Sequence, residues 1–236
     1  MDIKFDTYSF RARILPVYLT IAPAVLLLAA LVPDGLKLPL GGSAAVVFVP
    51  ISFFLSQVGA DFGKRLEKRL WHKWGGPPTT QFLRHGNPDF NEVTRGRVHE
   101  KLRLLGLKVP TLEEQALGER AADKYYESCT EELIRRTRDE KMFPLVFKGL
   151  VEYGFRRNLL GLKTLGVILS LVSLAGVSGS IYANWSPDNP PGVAIVAALI
   201  TSGLLFAWAT WITEDTVKLA ANRYARFLLE AALDQE

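Results

Sequence analysis

Apolar positions in this chain come in long unbroken blocks, separated by strongly charged stretches. Four blocks, residues 14–32, 38–60, 164–186 and 190–213, contain no Asp, Glu, Lys, Arg or His. At about 1.5 Å of rise per residue, each is long enough to cross a hydrocarbon core of roughly 30 Å as a helix. A soluble amphipathic helix carries one apolar stripe, not apolar residues all round. The pattern predicts an all-α membrane protein with four transmembrane helices, at about 14–32, 39–60, 164–184 and 192–213. These form two hairpins, 14–61 and 164–213. Residues 1–13 precede them, residues 62–163 form a helical domain inserted between spans two and three, and residues 214–236 follow as an amphipathic helix.

Inside the insert the period becomes that of ordinary amphipathic helices. Phe62, Leu66, Leu70 and Trp74 recur every four residues, so the second span is expected to continue beyond the bilayer. Gly75, Gly76, Pro77 and Pro78 then stop it, because proline lacks a backbone donor and disfavours helix in the preceding residue. After a polar loop, Pro88 opens a helix to about Leu105, with Gly106 as its stop. "PTLEE" has the capping-box spacing, Thr111 with Glu114, and begins a helix expected to reach about Arg138. That helix would carry Leu112, Ala116, Ala122, Tyr126, Cys129 and Leu133 on one side. A further helix from Phe143 feeds through "YGFRRNLLGLK" into the third span, and Val217, Ala221, Tyr224 and Leu228 mark the C-terminal stripe. A domain this small has a limited core, so it is expected to lean on the helical extensions, on the C-terminal helix or on a second subunit.

Charge sets the orientation. The chain has 28 Lys and Arg against 24 Asp and Glu, a net +4 that conceals a strong asymmetry. Lys37 is the only cation in the two short connections, "PDGLK" and "NWSPDNPP". All the others lie in the termini or the insert, several directly beside the spans. By the positive-inside rule both termini and the insert are cytoplasmic, in a multi-pass membrane protein. The first span has basic residues before it and an "APA" within it, like a secretory signal. Its apolar run is too long for a signal core and its leader carries Asp2 and Asp6, so it is kept as a span. The single Cys129 permits no intrachain disulfide and fits a reducing compartment.

Chemistry is harder to find. "RHG" at Arg84, His85 and Gly86 matches the phosphoryl-accepting tripeptide of histidine phosphatases, but no strand precedes it and His99 is the only later histidine. His72, His85, His99 and Cys129 are too far apart in sequence for a usual zinc site, and no phosphate loop or activated nucleophile is evident. A non-enzyme with no metal and no cofactor is expected. Arg156, Arg157, Asn158 and Lys163 stand at the inner leaflet, where contact with anionic head groups is the simpler role. In the sharper reading Arg156, Arg157 and Asn158 join Lys73, Arg84 and His85 in one basic pocket. A phosphate would suit its cations, and Trp71 or Trp74 would stack a base. Ser52, Ser56 and Gln57 on span two, and Ser170 and Ser173 on span three, are candidates to line a pore between subunits, with Pro50 as a kink point. Helix packing is the competing role for the serines, and for small pairs such as Ala175 with Gly179 and Gly176 with Ser180.

The layout, with the stretches "WGGPPTTQFLRH" and "YGFRRNLLGLK", resembles a group of small four-span bacterial membrane proteins that includes membrane effectors of anti-phage defence, such as the channel protein of the Hailong system. The resemblance implies a homo-oligomeric ion channel whose cytoplasmic domain senses a nucleotide-derived signal, a nucleotide or short DNA or RNA oligomer. The alternative is a membrane-anchored scaffold or adaptor whose cytoplasmic helices bind a protein partner.

Overall fold

The computed structural model describes residues 8–31 and 42–234, with the backbone alone for residues 42–52. Among the described residues the chain is helical, with no strand. A π-helical stretch, Ser9–Ile14, leads into α1 (Leu15–Leu31). Then come α2 (Gly42–Trp74), α3 (Pro78–Leu83), α4 (Glu92–Leu104), α5 (Leu112–Leu117), α6 (Glu119–Arg136), α7 (Pro144–Gly161), α8 (Lys163–Ala183), α9 (Gly192–Thr210) and α10 (Glu214–Glu230). Three helical segments, Ser9–Leu31, Lys163–Ala183 and Gly192–Thr210, are long and apolar enough to cross a membrane. The expected second span begins outside the described residues, as do Lys37 and its connection, Asp2 and Asp6. From Gly42 onward this span is the first part of α2.

The chain forms two compact units. The first comprises Met1–Leu66 and Gly154–Thr216, the second Glu67–Tyr153 and Val217–Glu236. The boundaries fall inside α2, α7 and α10.

In the first unit α1, α8 and α9 pack on one another. The side-chain distribution is inverted relative to a soluble bundle. Thr20, Ser170, Ser173 and Thr201 are buried, while Val25, Leu28, Leu171, Val172, Leu199 and Phe206 are exposed. Two of these hydroxyls bond to the backbone of their own helix. Thr20 Oγ1 donates to Pro16 O and Ser170 Oγ to Gly166 O, both at 2.7 Å. Gly166 seats the Trp208 ring, which is 1% exposed, and Gly176 meets Leu27 of α1. Gly179, by contrast, faces open space. The tightest crossing joins α2 to the end of α7. A Cβ on Gly161 would lie 2.9 Å from Gly63 N, and one on Gly59 would lie 3.2 Å from Val17 and 3.3 Å from Leu162.

The second unit has a conventional apolar core. Phe82 and Leu83 of α3, Val98 and Leu102 of α4, and Tyr126 and Leu133 of α6 meet Ala225, Leu228 and Leu229 of α10. The C-terminal helix thus completes the core. Gly149 of α7 lets Tyr224 and Phe227 approach closely, and Arg223 bonds to Glu152 at 2.8 Å.

Several local expectations change. Gly75 and Gly76 end α2 at positive φ (85° and 129°), as the breaker requires. The supposed polar loop after it contains α3, opened by Pro78 and anchored by buried Phe82 and Leu83. α4 begins at Glu92 and not at Pro88, because Asn91 Oδ1 caps it by accepting from Thr94 N at 3.0 Å. The Thr111–Glu114 capping box forms, but the helix it opens ends at Gly118. That break changes the phase, so Leu112 and Ala116 are exposed while Ala122, Tyr126, Cys129 and Leu133 are buried. α7 and α8 are separated only at Leu162.

Candidate functional site

The basic residues of the expected pocket divide between the two units. Lys73, Arg84, His85, Trp71 and Trp74 belong to the second, and Arg156, Arg157 and Asn158 to the first.

In the second unit the turn after α3 brings Arg84 back onto the start of α6. Its guanidinium grips Asp123 in a fork, Nε to Oδ1 at 2.8 Å and Nη2 to Oδ2 at 2.7 Å. Nη1 reaches Glu119 at 2.8 Å, and Nη2 also donates to Gly75 O at 2.9 Å. Two carboxylates outweigh the one cation, and the Asp123 bonds raise the Arg84 pKa further. A phosphate would have to displace a carboxylate already held in the geometry that guanidinium favours. Arg84 therefore closes the turn that follows α2. Neither Asp123 nor Glu119 stood out in the sequence, since they lie more than thirty residues away and in a helix of ordinary charge content.

His85 is similarly engaged. Its Nε2 lies 2.9 Å from Pro110 O and its backbone N donates to Gln115 Oε1 at 2.8 Å. Gln115 also accepts from Tyr126 OH at 3.0 Å. The rings of His85 and His99 meet edge-on with centroids 4.9 Å apart, a pairing their sequence separation did not suggest. His99 Nε2 is 2.8 Å from Leu83 O, and a carbonyl can only accept, so Nε2 carries a proton. Trp71 is half-buried, and its Nε1 has no hydrogen-bond partner among the described residues. Trp74 is half-buried and Lys73 exposed.

Burial pushes the His99 imidazole down to about 4, against the pull of its bond to Leu83 O, with His85, Arg103 and Arg95 adding positive charge nearby. The unfolded chain binds a proton below about pH 6.5 that the folded one refuses until about pH 4. Stability is then complete above about pH 6.5 and falls as the pH drops towards 4. Amide exchange of α4 and α6 should show the second unit losing about 2 kcal/mol of opening free energy between about pH 7 and about pH 5. His99→Phe should flatten that dependence.

In the first unit Asn158 is 1% exposed. Its Nδ2 donates to Ala12 O at 2.7 Å, and its Oδ1 accepts from Arg157 at 3.4 Å. The residue ties α7 to the segment that leads into α1. Arg156 lies over the Trp211 ring, 5.8 Å from its centroid, with Nη1 3.4 Å from Thr216 O. Lys163 donates to Ile212 O at 2.7 Å and lies 3.5 Å from Ala209 O, placing a cation on the carbonyl end of α9.

The expected pore residues also separate. Ser56, Ser170 and Ser173 are buried inside the chain's own first unit, and Ser56 Oγ donates to Phe53 O at 2.7 Å. The Ser52 side chain and the proposed kink at Pro50 lie outside the described side chains. Gln57 alone among the described candidates is exposed, flanked by exposed Phe53, Phe54 and Phe62. No protein-family model, curated protein or solved structure matches the chain.

Proposed function

We propose that the chain is a four-span inner-membrane protein with cytoplasmic termini, and that it assembles into a homo-oligomeric ion channel controlled through its helical second unit. The observation that carries the reading is the exposed Gln57 on α2, within a stretch free of charged residues and surrounded by exposed phenylalanines. A polar side chain at membrane depth belongs against protein or water and not against lipid. Ser56, Ser170 and Ser173 face inward, and Ser56 and Ser170 bond to their own helices, so a water-filled path is one formed between copies, with Gln57 on its wall. The first part of α2 supplies the fourth span, and the distribution of Lys and Arg supplies the orientation. A ligand that favours one arrangement of the second unit would shift the pore equilibrium by its differential affinity. The resemblance to anti-phage effectors makes a nucleotide or short oligonucleotide the first ligand class to try.

Ion flux from liposomes carrying the purified protein tests this, without ligand and then with nucleotides and short DNA or RNA oligomers. The expected result is a flux that at least one of these changes. Gln57→Leu should largely abolish it, whereas Ser170→Ala and Ser173→Ala should leave it intact. Absence of flux under every condition, from folded and correctly inserted protein, would replace the channel with a membrane-anchored adaptor. One surface favours that second reading. α5 buries none of its residues, and Leu112 and Leu117 are 62% and 90% exposed. Apolar residues so placed suit a protein partner.

A further inference from the structure

We infer that the exposed side of α6 is a two-fold contact, at which the second unit docks antiparallel on that of another copy of this chain. The inference deepens the assembly proposed above, on whose homo-oligomer it rests, and names a surface that joins two copies. α6 buries Ala122, Tyr126, Cys129 and Leu133 in its own core. Its opposite side carries Arg120, Lys124, Glu127 and Glu131, all exposed. Steps of four, three and four residues keep these side chains in one row along the helix.

Charge is sorted along that row, with both cations towards the N-terminus and both anions towards the C-terminus. Arg120 and Lys124 stand at the four-residue spacing where like charges repel, and so do Glu127 and Glu131. Among the described residues no ion pair or side-chain hydrogen bond engages any of the four, not even between Lys124 and Glu127. The ion pairs of α6 use Glu119, Asp123, Glu132, Arg135 and Arg136 instead. A second copy satisfies all four. They are symmetric about the point between Tyr125 and Tyr126. In an antiparallel pair turned about that point, Arg120 comes level with the partner's Glu131, and Lys124 with the partner's Glu127. Each match occurs twice by symmetry, the self-complementarity that an isologous contact requires. A parallel in-register pair would set like charge against like at every level. Ile134, 41% exposed, continues the row one step further and adds apolar area to the contact.

Disulfide trapping in the full-length chain tests the contact. Two forms with different tags, Lys124→Cys and Glu127→Cys, are co-expressed, purified through both tags in detergent and mildly oxidised. The native Cys129 is buried. The expected product is a linked pair carrying both tags. Adding Arg120→Glu to both forms sets a carboxylate opposite the partner's Glu131 and should cut the linked fraction about tenfold. Glu131→Arg alone should do the same, and the two substitutions together should restore linking. Recovery in the combined variant separates lost pairing from a lost fold. Co-purified forms that do not link would overturn the contact. So would single charge reversals that link as well as their parent, or a combined variant no better than the single ones. Two tagged wild-type chains that fail to co-purify would overturn the homo-oligomer itself, so the two levels of failure are distinct.

Discussion

Gly161→Leu should force α2 and α7 apart and cost the first unit about 3 kcal/mol or more, while Gly179→Leu should cost nothing measurable. The contrast comes from what a Cβ would meet. At Gly161 it would lie 2.9 Å from Gly63 N and 3.0 Å from Phe62 C. Both are backbone atoms of another helix and cannot rotate out of the way. The remaining leucine carbons would need still more room, so the crossing must open as a whole. At Gly179 nothing lies within 4 Å, and leucine is the better helix former. Opening the crossing would also disturb Asn158, which a Cβ on Gly63 would strike and which holds α7 to Ala12 O. Denaturant titration of detergent-solubilised protein, with size-exclusion profiles at each step, measures the difference. Equal stability of the two variants would show that the crossing is not a structural support.

The same crossing shows what the sequence exposes and what it conceals. Gly59 and Gly63 stand four apart on one helix, the spacing at which small residues admit a close neighbour. The signal is present, but it does not name Gly161 as the partner. The long apolar segments of α1, α8 and α9 are legible because a bilayer demands unbroken apolar length and little else. α3 is not, because "PTTQFL" is short and half polar, and only the burial of Phe82 and Leu83 in a core built by distant helices makes it regular. The break at Gly118 is a further case. Residues 112–133 satisfy a single helical period on paper, yet the chain stops and restarts at Gly118 in a different phase. Serine spacing on α8 showed that Ser170 and Ser173 share a face, but not that α8's own neighbours cover it. Exposure of Gln57, the opposite outcome on α2, was equally beyond the reach of spacing.

Arg84→Ala should destabilise the second unit by about 3 kcal/mol, and this loss separates a structural arginine from a ligand-binding one. Its side chain is 18% exposed and that of Asp123 19%, so the fork between them is partly shielded from water. The contact with Glu119, 61% exposed, adds little. Truncation leaves the Asp123 carboxylate without its fork and Gly75 O without its donor, at the turn where α2 ends and α3 begins. Arg84→Lys should recover only part of the stability, because an ammonium cannot make the two parallel bonds. In a double-mutant cycle with Asp123→Ala the two losses should not add, and a coupling of about 1–3 kcal/mol is expected. A residue reserved for a phosphate ligand would behave in the opposite way. Its removal would relieve like-charge repulsion with neighbouring cations, leave stability unchanged or improved, and abolish only the response to ligand. Amide exchange of α3 and α6 in the absence of any ligand, compared between wild type and Arg84→Ala, distinguishes the two. Faster exchange in the variant is the expected outcome, and unchanged exchange would return Arg84 to the list of ligand contacts.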